Sequence, residues 1–224
     1  MRTMSAIFLA LVGTLGLAAP TVSQAASFTF VQTSDHCTGG CGITANNTIT
    51  VSDTGTAGTV SLTAQLGAGW DFLLTGAGDA TLAFSSTFNN LLLAVQTAGY
   101  GVHSPSPAGS LQLDGLFFPA SAYGVDCTGC GSGASNPVGN VINFTASLAG
   151  LTATAFVNAL QLATGDNTTN SVFAADVLSP NGRTGIIDFT LSAIPLPPAM
   201  LLFGTALLGM GMLRRRRNAG TQAA

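Results

Sequence analysis

Thr59-Val60-Ser61-Leu62-Thr63-Ala64-Gln65-Leu66 decides the fold: apolar side chains fall at 60, 62, 64 and 66, and hydroxyls or an amide fall between them. A period of two sends alternate side chains to opposite faces of an extended chain, so this stretch reads as a strand with one face in a core. The pattern returns in Phe28-x-Phe30, Ile49-x-Val51 and Ile142-x-Phe144-x-Ala146-x-Leu148. Further strands are expected over 71–75 and 81–85, joined as a pair through Gly76-Ala77-Gly78-Asp79, and over 111–118, 155–162, 172–178 and 185–191. Asn181-Gly182 marks a tight turn between the last two, because both residues tolerate positive φ. The apolar run 91–95 fits either a buried strand or a short helix, within a candidate strand over 91–97. Residues 98–110 and 119–140 are rich in Gly, Pro and Ser and read as long surface loops. About ten or eleven short strands and no helix of the body predict an all-β fold, an antiparallel β-sandwich of jelly-roll or other Greek-key order.

The ends of the chain read differently. Met1-Arg2, an apolar run over 6–19 and Ser23-Gln24-Ala25 form the layout of a secretory signal helix, with cleavage expected between Ala25 and Ala26 by a signal peptidase. At the other end, 194–213 is a run of 20 residues without a charge, followed by Arg214-Arg215-Arg216-Arg217. That length crosses a bilayer as a helix, and the arginines hold its end on the cytoplasmic side of an inner membrane. The expected organisation is a signal peptide over 1–25, a β body over 26–193, a membrane-spanning segment with its Arg stop over 194–217, and a polar tail over 218–224.

The 168 residues of the body can bury roughly 70% of the surface their unfolded chain would expose, enough to fold without a metal. There is no Glu and no Lys in the chain, and nine Asp against the single Arg183 leave the body at −8. A phosphate-binding face needs clustered bases, so nucleic acid is excluded as a partner. The composition also speaks against catalysis. No Gly-x-Ser-x-Gly elbow marks an activated serine, and no paired Glu or Asp suits glycoside hydrolysis. His36 and His103 both fall in Gly/Ser-rich surroundings and read as solvated loop residues. No catalytic residue and no cofactor is assigned.

Four cysteines occur as two tight pairs, Cys37-Thr-Gly-Gly-Cys41 and Cys127-Thr-Gly-Cys130. In an exported chain these are expected as local disulfides, with cross-pairing between the loops and a four-thiolate zinc site as alternatives. Asp166, Asn167, Asn170, Asp176 and Asn181 offer oxygen atoms for calcium, but the Asp-x-Asp-x-Asp-Gly loop is missing, and no metal site is assigned.

The segment Ile194-Pro195-Leu196-Pro197-Pro198-Ala199, with Leu202-Phe203-Gly204, Leu207-Leu208-Gly209 and the Arg cluster, resembles the PEP-CTERM sorting signals of bacteria, closest to the VPLPA-CTERM branch. It departs from that branch in Ile for the leading Val and in an extra Pro before the Ala. The resemblance covers about residues 192–217. It implies recognition by an exosortase, cleavage near 195–198 and delivery of the body to the cell surface or an exopolysaccharide matrix. Extended, donor-poor prolines suit a protease that reads an unfolded strip beside the membrane. On this reading the body is structural or adhesive, with Trp70, Tyr100 and Tyr123 as either sugar contacts or ordinary core. The alternative is an exported carbohydrate-binding or carbohydrate-active protein that uses calcium.

Overall fold

Side-chain alternation becomes strand pairing wherever it is cleanest. The computed structural model describes residues 25–74, 80–106, 111–113, 116–128, 139–165 and 171–192. Its elements are β1 (Ser27–Asp35), β2 (Thr48–Asp53), β3 (Thr59–Gln65), β4 (Asp71–Phe72), β5 (Leu82–Ser86), β6 (Leu92–Val95), β7 (Tyr100–Ser106) and β8 (Gln112–Leu113). They continue with β9 (Leu116–Phe117), β10 (Ser121–Cys127), β11 (Val141–Ser147), helix α1 (Ala153–Ala159), β12 (Leu160–Gln161), β13 (Thr164–Gly165), β14 (Phe173–Leu178) and β15 (Thr184–Leu191). Every pairing among them is antiparallel.

One large sheet runs β6-β11-β3-β2-β1-β15-β14-β5-β10-β7, with β12 on β5 and β4 on β14. Its two end strands, β6 and β7, approach each other, so the sheet curls until it is nearly closed. The curl brings rings from distant strands together: Phe84 of β5 stacks with Phe144 of β11 at 6.5 Å and meets Phe156 of α1 edge-on at 5.5 Å. On the β1-β2-β3-β11 side only the inner face is buried, which is why these strands alternate. On the other side β5 is buried at all five positions and β14 at five of six. The outer face of this side carries Ala83 of β5, Ala122 of β10, Ala174 of β14 and Ile186 of β15, and Leu113 and Leu116 of a small sheet ordered β13-β9-β8, with Phe118 just after β9, join the same cluster.

Several expectations need correction. The pair 71–75 and 81–85 does not form a hairpin, because β4 pairs with β14 while β5 pairs with β10, β12 and β14. Residues 111–118 fold back on themselves as β8 and β9. The stretch 155–162 is mostly helical: Thr152 caps α1 by accepting from Ala155 N–H at 3.1 Å, and Ala153, Phe156 and Ala159 form the buried stripe. The supposed loops 98–110 and 119–140 contain β7 and β10. Gly124 disguised β10, yet a Cβ there would sit 2.9 Å from Ala80 Cβ and 3.0 Å from the Leu82 carbonyl, so packing demands glycine. Pro105 is tolerated in β7 because that strand ends the sheet. Among the described residues no helix is long and apolar enough to cross a membrane; the apolar run of the expected signal peptide over 6–19 and the expected span over 194–213 lie outside the described residues, as does the polar tail.

Candidate functional site

The chemistry-bearing side chains gather where the end of β1 meets the β14–β15 hairpin. Asn181-Gly182 closes that hairpin, with Gly182 at φ +78°. Arg183 Nη1 donates to the Thr38 carbonyl at 2.9 Å, and Asn181 Nδ2 donates to the Gly40 carbonyl at 3.3 Å. The loop they hold is closed by a Cys37–Cys41 disulfide. Asp35 grips its far side, accepting from Cys41 N–H at 3.2 Å and Gly42 N–H at 3.1 Å. A joined pair has no thiolates to offer, so Cys37 and Cys41 cannot belong to a zinc site. Cys127 is also disulfide-bonded, and no described cysteine is free; Cys130 lies outside the described residues.

Beneath this loop lies a fully buried carboxylate. Asp188 Oδ2 accepts from Ser34 Oγ at 2.6 Å and from His36 Nε2 at 2.7 Å. A serine, a histidine and an aspartate are thus together, but as spokes on one oxygen. Catalytic relay needs the serine hydroxyl bonded to the imidazole, which then bonds the carboxylate through its other nitrogen. Here both hydroxyl and imidazole donate to the acid, and the serine has no base. The cluster pins β1 to β15.

His36 is therefore no solvated loop residue, its side chain being 12% exposed. His103 is not one either: it lies in β7, and its Nδ1 meets Asp126 Oδ2 of β10 at 2.9 Å. Both partners come from neighbouring strands more than twenty residues away in sequence, so spacing along the chain could not reveal them. The three aromatics weighed as sugar contacts are core: Trp70, Tyr100 and Tyr123 are all buried. That role is withdrawn for them. Of the residues weighed for calcium, Asp176 is buried within β14 and Asn181 is bonded in the hairpin turn; Asp166, Asn167 and Asn170 lie outside the described residues. Among the described residues no three His, Cys, Asp or Glu side chains cluster as metal ligands.

A second feature is a groove of about 540 Å³ lined by Asn46, Thr48, Gln65, Gly67 and Asn140, with Ala45, Leu66 and Ala68. Buried Asn47 ties its walls together. The Asn47 Oδ1 accepts from Gly67 N–H at 2.7 Å, and its Nδ2 donates to Gln32 Oε1 at 2.8 Å. Gln32 Nε2 in turn donates to the Gly42 carbonyl at 2.8 Å. The groove opens at one end of the outer face of β1, β2, β3 and β11. There Thr29, Thr50, Thr63 and Asn143 stand in one cross-strand row and Ser27, Ser52, Ser61 and Thr145 in the next. Neither row holds a charge.

Among the chain's sorting residues, only the edge of the proposed signal site is described. Ala25 is exposed, and Ala26 is the residue just before β1. Ile194, Pro195, Leu196, Pro197, Pro198 and Arg214 to Arg217 lie outside the described residues. No family model, no curated protein and no solved structure matches the chain.

Proposed function

We propose that the chain is an exported, non-enzymatic surface or matrix protein, delivered to the membrane by its signal peptide and processed at its C-terminus by an exosortase. The observation that carries this reading is the uncharged run 194–213, opened by three prolines and ended by four arginines. Two structural facts support it. The Cys37–Cys41 disulfide suits an oxidising compartment. The last described strand ends at Leu191, three residues before the proline segment begins. In this reading the curled sheet works as a Greek-key sandwich whose layers are β6-β11-β3-β2-β1 and β15-β14-β5-β10-β7.

Mass spectrometry of the protein from its own host tests the proposal. The expected product starts at Ala26 and lacks everything beyond Pro198. An intact arginine tail on the surface-displayed protein would instead mark a permanent anchor. Replacing Arg214 to Arg217 by Ser should leave the precursor unsorted, and normal surface display of that variant counts against sorting.

The groove favours a second reading, a carbohydrate-binding body. Asn46, Thr48, Gln65 and Asn140 set among Ala45, Leu66 and Ala68 offer hydrogen bonds and small apolar contacts but no cation for an acidic polymer, and this mixture suits a neutral polyol chain. Retardation of the full chain in native gels containing dextran or galactomannan, abolished by Asn46→Ala with Gln65→Ala, is the outcome this reading expects. Equal mobility with and without the polymers removes it.

A further inference from the structure

We infer that signal-peptide removal completes an ion pair within the fold: the α-ammonium freed at Ala26 is received by the carboxylate of Asp53. The inference rests on the reading of Ala25–Ala26 as the cleaved bond. Ala26 N already lies 3.0 Å from Asp53 Oδ2, donating as a peptide N–H. The Asp53 N–H donates back to the Ala26 carbonyl at 3.1 Å, so residue 26 is held from both sides in the β1–β2 pair. The other oxygen, Asp53 Oδ1, accepts from Ala153 N–H at 2.7 Å, the first residue of α1. Asp53 is thus fixed before cleavage, and its placement needs no rearrangement afterwards.

Cleavage changes one atom's chemistry. Hydrolysis of the Ala25–Ala26 amide takes up one water; the Ala25 carbonyl leaves as a carboxylate with the signal peptide, and the Ala26 nitrogen takes a proton to become an ammonium. A neutral N–H donating to a carboxylate becomes an ammonium doing so, which adds the attraction of opposite charges to a hydrogen bond already in place. Space exists for the altered terminus, because Ala25, Asp53, Thr56, Thr59 and Thr152 line an open cavity of about 380 Å³. Among the described residues no other charge on the elements packed against Asp53 competes for the new cation. The described elements packed on Asp53 are β1, β3 and α1; β3 and α1 carry no titratable side chain, and the one on β1, Asp35, lies at the opposite end of that strand. The free terminus of the processed protein is therefore part of its fold, whereas the precursor makes the same hydrogen bond without the positive charge.

The sign follows from linkage. An ammonium paired with a carboxylate holds its proton to higher pH than the unfolded terminus, whose pKa is about 7.7–8.0. The contribution is complete below that range and is lost as pH rises through the higher folded value. The test uses the protein recovered after export, its N-terminus sequenced, and thermal melts from pH 6 to pH 10. We expect the melting temperature to fall across the alkaline half of the series. The fall should be absent from Asp53→Asn, which keeps an acceptor for Ala153 N–H, and from the wild-type protein acetylated at Ala26. If Asp53→Asn fails to fold, the acetylated protein still decides. A product that starts elsewhere than Ala26 sinks the processing reading and this inference with it. A product that starts at Ala26 but melts with the same pH profile in all three forms sinks the ion pair alone.

Discussion

Tyr100 and Tyr123 are both sealed in the core, yet only one hydroxyl is provided for. Tyr123 Oη donates to the Phe88 carbonyl at 2.7 Å and accepts from Leu91 N–H at 3.3 Å, while the Tyr100 hydroxyl has no partner among the described residues. Removing the first leaves buried backbone groups unsatisfied, so Tyr123→Phe should cost about 1–2 kcal/mol. Removing the second relieves a buried, unpaired group, and Tyr100→Phe should be neutral or gain up to about 1 kcal/mol. Denaturant titration of the three proteins checks this, and equal losses would erase the distinction. Burial raises both hydroxyls above the ordinary 10.0; the charge of Asp71 adds to the rise at Tyr100, and the Leu91 N–H opposes it at Tyr123. The fold therefore holds the neutral phenols. Their contribution is whole below pH 10 and drains away above it, as the unfolded chain ionises first. Melts at alkaline pH should decline past about pH 10, less steeply in Tyr100→Phe, and an unchanged slope in that variant would clear Tyr100 of responsibility.

Elements that carry one buried face were legible from the sequence, and so were β5, β14 and β15, buried on both faces but rich in long apolar side chains; β10, also buried on both faces, was not. Val60, Leu62 and Ala64 announce β3 because its outer face is wet. The interior strand β10 hides because its outer face needs Ala122 and Gly124 to admit another layer, and small residues read as loop. The helix α1 had a signal, the three-residue spacing of Ala153, Phe156 and Ala159 behind Thr152, but its alanines also fit an alternating pattern. The disulfide loop was legible as a pair of cysteines and illegible as a docked element, since Arg183 and Asp188 reach it from the far end of the chain. Gly185 shows what docking demands: its φ is +152°, and a Cβ there would lie 2.6 Å from Cys37 Cα. Gly185→Ala should destabilise by about 1–3 kcal/mol, since backbone rather than a movable side chain is in the way. In a background carrying Cys37→Ser and Cys41→Ser, where the loop is no longer clamped, the penalty should shrink. Additive losses in that double-mutant cycle would show that the loop is not the obstacle.

At the scale of the whole molecule, the described body has two apolar clusters but one set of strands between them. Phe84, Phe173 and Ile187 face the inner cluster; Ala83, Ala174 and Ile186 in the same strands face the outer one. Neither cluster can lose its packing while β5, β14 and β15 stay whole for the other. The body should therefore melt in a single cooperative transition despite its second small sheet. Phe84→Ala, at the centre of four ring contacts, and Phe118→Ala, under β8 and β9, should each cost about 3–5 kcal/mol. Both should lower the same transition in a calorimetric melt, with calorimetric and van't Hoff enthalpies in agreement. The alternative is a two-step melt in which Phe118→Ala weakens only the earlier step. That outcome would make the β13-β9-β8 layer a detachable cover, and the small residues of β5, β10 and β14 would then need a reason other than close packing.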